Sequence, residues 1–371
     1  MPLLTPTTTF KSKHAIAADA IRELAIKLGP SMKLPTAQEL SRQLGIAVAT
    51  LDRSLGYLEK RGVINRRQGS GIYVSQRPAQ RTIGLVFGVN IFESGVSPFY
   101  SQLLKHCEKS VGVRNERFSV FLGTSALSGA APDESPIHHD LEDALDSERL
   151  DGLMLFAKAS GHQENVLRRR GLPMAALTRH SEWPGVVHYD IEHSFEESIA
   201  KLVAAGRRSI GFMGALPEHA SLFRDLMSRA ALPASESCIW SSGANNNPAF
   251  AIHEGVMQRV QLGAAWAEEF ARLSPEARPQ GLISTDDMIT RGACTTFARL
   301  GLRPGRDFTF CTHANIGSMV LDEWKADLVQ FAFDPQETID AMFRCLDAHL
   351  SGSPLAEHIY IRHRHIDAIG N

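Results

Sequence analysis

Apolar residues at Ile21, Leu24, Ala25 and Leu28 repeat at the i, i+3, i+4, i+7 spacing. That spacing lays one apolar stripe along a helix, so a first helix is predicted from His14 to Leu28, ended by Gly29-Pro30. A second helix should open at Thr36, after Pro35. Thr36-Ala37-Gln38-Glu39 has the form of a capping box, in which hydroxyl and carboxylate each satisfy a free amide at the helix start. Leu40 and Leu44 are its inward side, and Gly45 permits a tight turn. A third helix is predicted from Ala49 to Arg61, with Leu51, Leu55 and Leu58 inward and Ala49, Arg53, Gly56 and Lys60 on the opposite face. Gly62 stops it. Val63-Ile64 and Ile72-Tyr73-Val74 read as short strands around a Gly69-Ser70-Gly71 tip. A helix, turn, helix and hairpin wing form a unit whose common use is to place a helix in the DNA major groove.

After a polar, Pro-containing stretch, Ser75 to Arg81, the pattern changes. Thr82–Phe87 is a buried-strand run. Further strand candidates are Ser119–Leu122, Gly152–Phe156, Met174–Leu177, Ser209–Met213, Gly281–Ser284, Asp307–Cys311 and Ile359–Ile366. Helix candidates between them are Phe99–Val111, Asp140–Ser147, Ser194–Ala205, Ala264–Arg272 and Asp287–Leu300. Repeated strand–helix units predict an α/β fold with parallel sheet, whose ligands sit off the carboxyl ends of the strands.

Charge sharpens this division. The 371 residues carry a net charge of −2, yet residues 1–80 hold 12 Lys and Arg against 5 acids, leaving −9 on the remainder. A basic small domain on an acidic large one suits polyanion binding at one end. A hydrophobic fraction of 43% is ample for packed cores. The apolar runs are too short to span a bilayer and no signal peptide is visible, so a cytoplasmic protein without membrane attachment is expected. Five scattered cysteines without CxxC fit reduced thiols. His363 and His365 share a strand face, and His138-His139 are adjacent, but no acidic or Cys partner stands at ligand spacing, so no metal or other cofactor is expected. No nucleophile elbow, phosphate loop or supported carboxylate pair is present, and an enzyme is not expected.

Leu34-Pro35-Thr36, Glu39-Leu40, Leu44-Gly45, Leu55, Leu58-Glu59, Gly62-Val63-Ile64 and Arg67-Gln68-Gly69-Ser70-Gly71 together resemble the GntR family of bacterial winged-helix regulators, over roughly residues 10–75. The resemblance implies arginines at three reading positions, which here are Gln38, Val48 and Asp52. The DNA contacts it leaves as candidates are Gln38, Ala49, Thr50, Arg53, Arg66, Arg67, Gln68 and Gly69.

The larger part resembles the effector-binding core of the LacI family, itself like periplasmic sugar-binding proteins. The carriers are Ile83-Gly84-Leu85-Val86, Ser97-Pro98-Phe99-Tyr100, Leu150–Leu155, Gly171-Leu172-Pro173, Leu202–Phe212, Ser284-Thr285-Asp286-Asp287 and Gly301–Gly305, in the family's order. The resemblance implies two α/β lobes joined by three crossings, with a small molecule in the cleft. It divides the chain into a winged-helix domain, 1–76, a linker, 77–81, and a sensor, 82–371. Lobe 1 would hold about 82–178 and 335–352, and lobe 2 about 179–333 and 356–371. The implied effector contacts are Phe99, Tyr100, Arg224, Asp286 and Phe333, with Lys158 and Trp240 as strand-end candidates. The family's sugar-gripping Asp falls on Ala314, followed by Asn315. Taken without the family order, Phe99, Tyr100 and Phe333 also read as core aromatics, and Arg224 as the partner of a surface acid. Asp286-Asp287 also reads as a helix N-cap.

These readings converge on a homodimeric DNA-binding transcription regulator. It would be a repressor of a carbohydrate-use operon, its partners double-stranded operator DNA and a small sugar-like effector. The alternative is a ligand-binding or degenerate sensor that acts through protein partners.

Overall fold

The computed structural model describes residues 13–76, 80–88, 90–92, 96–114, 116–123, 139–147, 149–156, 167, 170–177, 185–241, 256–353 and 358–366. By compactness the chain forms two units. One comprises Met1–Gly84, Val111–Ser119 and His139–Gly152, and the other holds the remainder.

The winged helix begins with α1 (Lys13–Leu28), α2 (Ala37–Leu44) and α3 (Val48–Lys60). Strands β1 (Ile64–Arg67) and β2 (Gly71–Val74) follow, antiparallel, with Ile64 opposite Val74. The capping box is present: Glu39 N donates to Thr36 Oγ1, and Thr36 N donates to Glu39 Oε2 at 2.8 Å. These bonds hold the Glu39 carboxyl below its ordinary pKa, the Thr36 amide first and its hydroxyl second. Gly45 ends α2 in the left-handed conformation, φ 63°. Ile21, Leu40, Leu51, Leu55, Leu58, Val63, Ile72 and Val74 fill one core. The inward stripes predicted for α1 and α3 are those observed.

Two six-stranded sheets follow. Strand β3 (Arg81–Phe87) leads to α4 (Pro98–Arg114), β4 (Glu116–Leu122), α5 (His139–Asp146), β5 (Gly152–Leu155), β6 (Met174–Leu177) and β7 (Val186–Tyr189). Next come α6 (Ile191–Ala204), β8 (Ile210–Gly214), α7 (Pro217–Arg229), β9 (Ile239–Ser241), α8 (Val256–Arg272), β10 (Gly281–Ser284) and α9 (Asp287–Arg299). The chain closes with β11 (Thr309–Asn315), β12 (Val329–Phe333), α10 (Pro335–Ser351), β13 (His358–Ile361) and β14 (Arg364–Ile366). The first sheet has the order β13-β7-β6-β5-β3-β4 and the second β14-β12-β11-β10-β8-β9. In the second, β9, β8, β10, β11 and β12 are parallel and β14 is antiparallel to β12.

The sheets correct the lobe boundaries expected at 179 and 356. Strand β7 lies beyond 179 but pairs with β6, and β13 pairs with β7, so both belong to lobe 1. The apolar pair Val186-Val187 is fully buried there. The strand expected over Ile359–Ile366 is two strands, one in each sheet, with Arg362-His363 between them. The chain thus passes between lobes three times, at Asp190, at Asp334 and at Arg362-His363. Asp190 caps α6 and Asp334 caps α10, and each faces an arginine at 3.7 Å, Arg362 in the third crossing and Arg364 at the start of β14. Among the described residues no helix is long and apolar enough to cross a membrane.

Candidate DNA-reading surface and effector cleft

On α3 the outward residues are Val48, Ala49, Asp52, Arg53 and Lys60, all exposed, while Thr50 is half-buried. Gln38 is exposed on the first turn of α2, one helix away. Arg67, Gln68 and Gly69 are exposed at the wing, and the tip turns at Gly69 with φ 71°. The Arg67 guanidinium lies 4.9 Å from the Tyr73 ring centroid, a stacking that extends it beside the tip.

Arg66 behaves differently. Its Nη1 donates to Asp52 Oδ1 at 2.7 Å, its Nε to Glu59 Oε2 at 2.7 Å and its backbone amide to Glu59 Oε1 at 2.9 Å. Glu59 is held below, and Arg66 above, its ordinary pKa by this hydrogen bonding. A Cβ on Gly56 would stand 3.4 Å from Arg66 Nη2, so the glycine makes the seat on which the guanidinium lies. Arg66 was expected as a phosphate or groove contact. The structure instead spends its charge on two acids of α3.

A second cluster of charges gathers around Asp151. Asp151 Oδ1 accepts from Arg22 of α1 at 2.8 Å and forms an ion pair with Arg61 at the end of α3, and Oδ2 accepts from the Thr82 amide at 2.9 Å. Arg61 also donates to Leu150 O and stacks on Tyr57, 4.4 Å from its ring centroid. The Arg61 and Asp151 side chains are 4% and 7% exposed. This buried node has no signal in local sequence periodicity, because its members are up to 129 residues apart.

The cleft candidates gather at the strand ends of the two lobes. Phe99 packs edge-on against Tyr100 at 5.4 Å and against Tyr189 at 6.0 Å, and Tyr189 lies 4.3 Å from Phe333. His313 completes the group, 5.3 Å from Phe333. Phe333 is 1% exposed, so it backs this wall rather than presenting a face, while Phe99, Tyr100 and Tyr189 are half-buried. Asp286 caps α9, its Oδ1 accepting from the Met288 and Ile289 amides, and its Oδ2 accepts from Arg259 Nη1 at 2.6 Å. The Asp286 carboxylate, and after it the Tyr100 phenol, raise the pKa of Arg259. Beside them Asn315 Nδ2 donates to Asp287 Oδ2 at 3.3 Å. Burial first, then Asp286, pushes the Asp287 pKa from 3.8 up to about 7. Among the described residues, Asn315 Oδ1 and Gln102 Oε1 are buried acceptors without a hydrogen-bond partner. Gln102 approaches the turn after β11, its Nε2 3.8 Å from a Cβ placed on Gly317.

Two expected contacts are not brought together with this group, and a third is not described. Arg224, on α7, is held by Glu236 through a paired fork at 2.7 and 2.8 Å. Glu236 stands before β9, at its amino end, so Arg224 is turned away from the carboxyl ends where the cleft residues collect. Trp240 lies within β9, 5% exposed and 6.1 Å from the Phe270 ring, in the apolar core of lobe 2. Lys158 lies outside the described residues. Among the described residues the cation that meets Asp286 is Arg259, which no motif in the sequence marks. Its one available signal was position: it lies one turn upstream of Gly263 on the helix that runs up to Asp286's own. Ala314, where the resemblance places an acid, is a buried core residue, and Asn315 takes the adjacent polar position. His363 accepts no metal-like company among the described residues: it pairs with Glu197 at 2.9 Å.

Residues 15–74 match the family described as bacterial regulatory proteins, gntR family. The HTH-type transcriptional regulator SmoD of Agrobacterium fabrum is 36% identical over 84 residues, which are 22% of this chain and 36% of that protein. The chain therefore spans about a third of that relative. A LacI-family regulatory protein from Chloroflexus aggregans superposes with a TM-score of 0.60 at 21% identity, over 77% of this chain and 96% of that one. A LacI-family transcriptional regulator from Arthrobacter sp. FB24, solved in complex with lactose, superposes with a TM-score of 0.58 at 17% identity, over 78% and 98%. The chain thus joins a domain that matches the gntR family at residues 15–74 to the two-lobed α/β fold seen in LacI-family regulators.

Proposed function

We propose that this protein is a cytoplasmic, homodimeric transcription regulator that represses a carbohydrate-use operon and is controlled by a sugar-like effector. The observation that carries the DNA part is the exposed α3 face with Arg53 at its centre, in a domain matched to a DNA-binding family. Arg53, Arg67 and the Gly69 tip supply the reading helix and the phosphate-binding wing, with Gln38, Ala49, Thr50 and Gln68 around them. In a dimer two such units meet half-sites one helical turn apart.

The effector part rests on the cleft group. Phe99, Tyr100 and Tyr189 offer flat faces, Arg259 and Asp286 a donor and an acceptor, and Gln102 and Asn315 two acceptors whose burial without partners is costly unless a ligand hydroxyl meets them. A polyhydroxylated, uncharged ligand satisfies this set, since Arg259 already faces Asp286. The lactose held by the Arthrobacter regulator of the same fold is of this class.

Two measurements test the reading. Retention on operator DNA should fall steeply with salt, because each phosphate contact releases a counterion. Retention that ignores salt would favour the alternative, a sensor acting through protein partners, for which the neutralised Arg66 is the supporting observation. A thermal-shift screen with pentoses, hexoses, disaccharides and nucleosides should find a stabilising ligand, and Arg259→Met should abolish the shift while Arg224→Met leaves it. The reverse pattern would restore Arg224 to the site.

A further inference from the structure

The pairing of Arg66 with Asp52 bears on which bases the helix selects, and the inference rests on the DNA-binding reading above. Val48 and Asp52 stand one turn apart on the outward side of α3, in its first two turns, where recognition helices meet base edges. The Val48 residue is 59% exposed and the Asp52 side chain 71%. An isolated carboxylate on such a surface would be repelled by the phosphates. Here Arg66 reaches across from β1, over Gly56, and pairs with it, halving the charge of the Asp52–Glu59 pair while leaving most of the Asp52 side chain open. The hydrogen bond also favours one orientation of the carboxylate. The result is a positioned acceptor, in a group of two acids and one arginine that keeps a single net negative charge.

We infer that Asp52, held by Arg66, reads the exocyclic amino group of a cytosine in the major groove and so sets the operator sequence at that base pair. An ionised carboxylate only accepts hydrogen bonds. In the major groove only cytosine N4 and adenine N6 donate, whereas guanine O6 and thymine O4 are acceptors and are rejected. Adenine places the acceptor N7 beside its amino group, against the second carboxylate oxygen. Cytosine has no such neighbour. One turn earlier, the Val48 methyls fit a thymine methyl, the apolar mark of the same groove.

The test is selection of a randomised double-stranded DNA library by the full chain, followed by affinity measurements on the selected site and its single-base variants. The wild type should enrich one position for C, and replacing that C by G should lower affinity about tenfold or more. D52N should move the preference there to A, whose N6 and N7 an amide meets as a pair. D52A should level the four bases at that position and leave the rest of the site unchanged. R66M should weaken binding while keeping the preference for C. If D52A, D52N and R66M all lower affinity uniformly and select the wild-type site, Asp52 only braces the wing and the inference is overturned. A wild type that enriches no sequence would instead overturn the DNA-binding reading, and the inference with it.

Discussion

Arg66 and Arg67 are adjacent and identical in chemistry, yet only one has its charge available. Arg66 is pinned by Asp52 and Glu59, and Arg67 lies exposed over Tyr73. Sequence patterning located both on the wing but could not separate them, since the acids that capture Arg66 lie on α3, 7 and 14 residues back. The salt dependence of DNA binding should distinguish them: Arg67→Ala should flatten the slope of log affinity against log salt by about one unit, and Arg66→Ala should hardly change it. Equal effects would return Arg66 to the phosphate contacts. Arg53, at the centre of the reading face, should cost ~1–3 kcal/mol of specific binding when changed to Ala, read as the difference between operator and random DNA. A third residue carries a pH effect. Because the native Asp287 pKa is raised to about 7 from 3.8, the folded protein keeps a proton that the unfolded chain loses. Stability from this group is full below about pH 4 and is lost as pH rises towards about 7. Asp287→Asn should remove that decline from the melting temperature measured across this range. A variant with the wild-type slope would assign it to another group.

Elements with a strong local signature were legible, and those held by distant partners were not. The capping box of α2 and the Leu51, Leu55, Leu58 stripe of α3 are local, and they appear as the pattern requires. Strand β7 has four residues and follows Trp183-Pro184-Gly185, so its place in the first sheet depends on β6 and β13 rather than on its own sequence. Arg224 and Glu236 are 12 residues apart, and Arg259 and Asp286 are 27 apart, beyond any helical or strand period. Helix α8 was expected from Ala264, after the helix-weakening Gly263, and that truncation left Arg259 outside it. The structure shows what the glycine does. A Cβ on Gly263 would lie 1.9 Å from Ile289 O of α9, and one on Gly292 would lie 1.9 Å from Val260 O of α8. The two helices therefore cross backbone to backbone, and the crossing brings Arg259 to the N-terminus of α9, at Asp286. Gly263→Ala should separate them, lower stability by ~1–3 kcal/mol or more in denaturant melts, and weaken any effector that depends on Arg259. An unchanged melt would show that the crossing can relax.

At the scale of the whole molecule, the α/β class and the winged helix were readable from the hydrophobic patterning, while the three passages between lobes came only from the resemblance to the LacI family. The missing information was what fastens the winged helix. The stretch from Ser75 to Arg81 has no hinge-helix pattern, and the fastening is the carboxylate of Asp151, which holds Arg22, Arg61 and the Thr82 amide. Asp151→Asn leaves the Arg61 guanidinium buried without a counter-charge, which should cost ~3–5 kcal/mol in unfolding of this unit. Asp151→Ala should do no better, and a variant as stable as the wild type would make the node dispensable. Because one carboxylate meets all three groups, and Arg61 adds only a bond to the neighbouring Leu150 O, their opening is coupled. The amides of α1, of the last turn of α3 and of the start of β3 should therefore exchange with deuterium as one block, at a single rate. Asp151→Asn should split that block into parts that exchange on their own clocks.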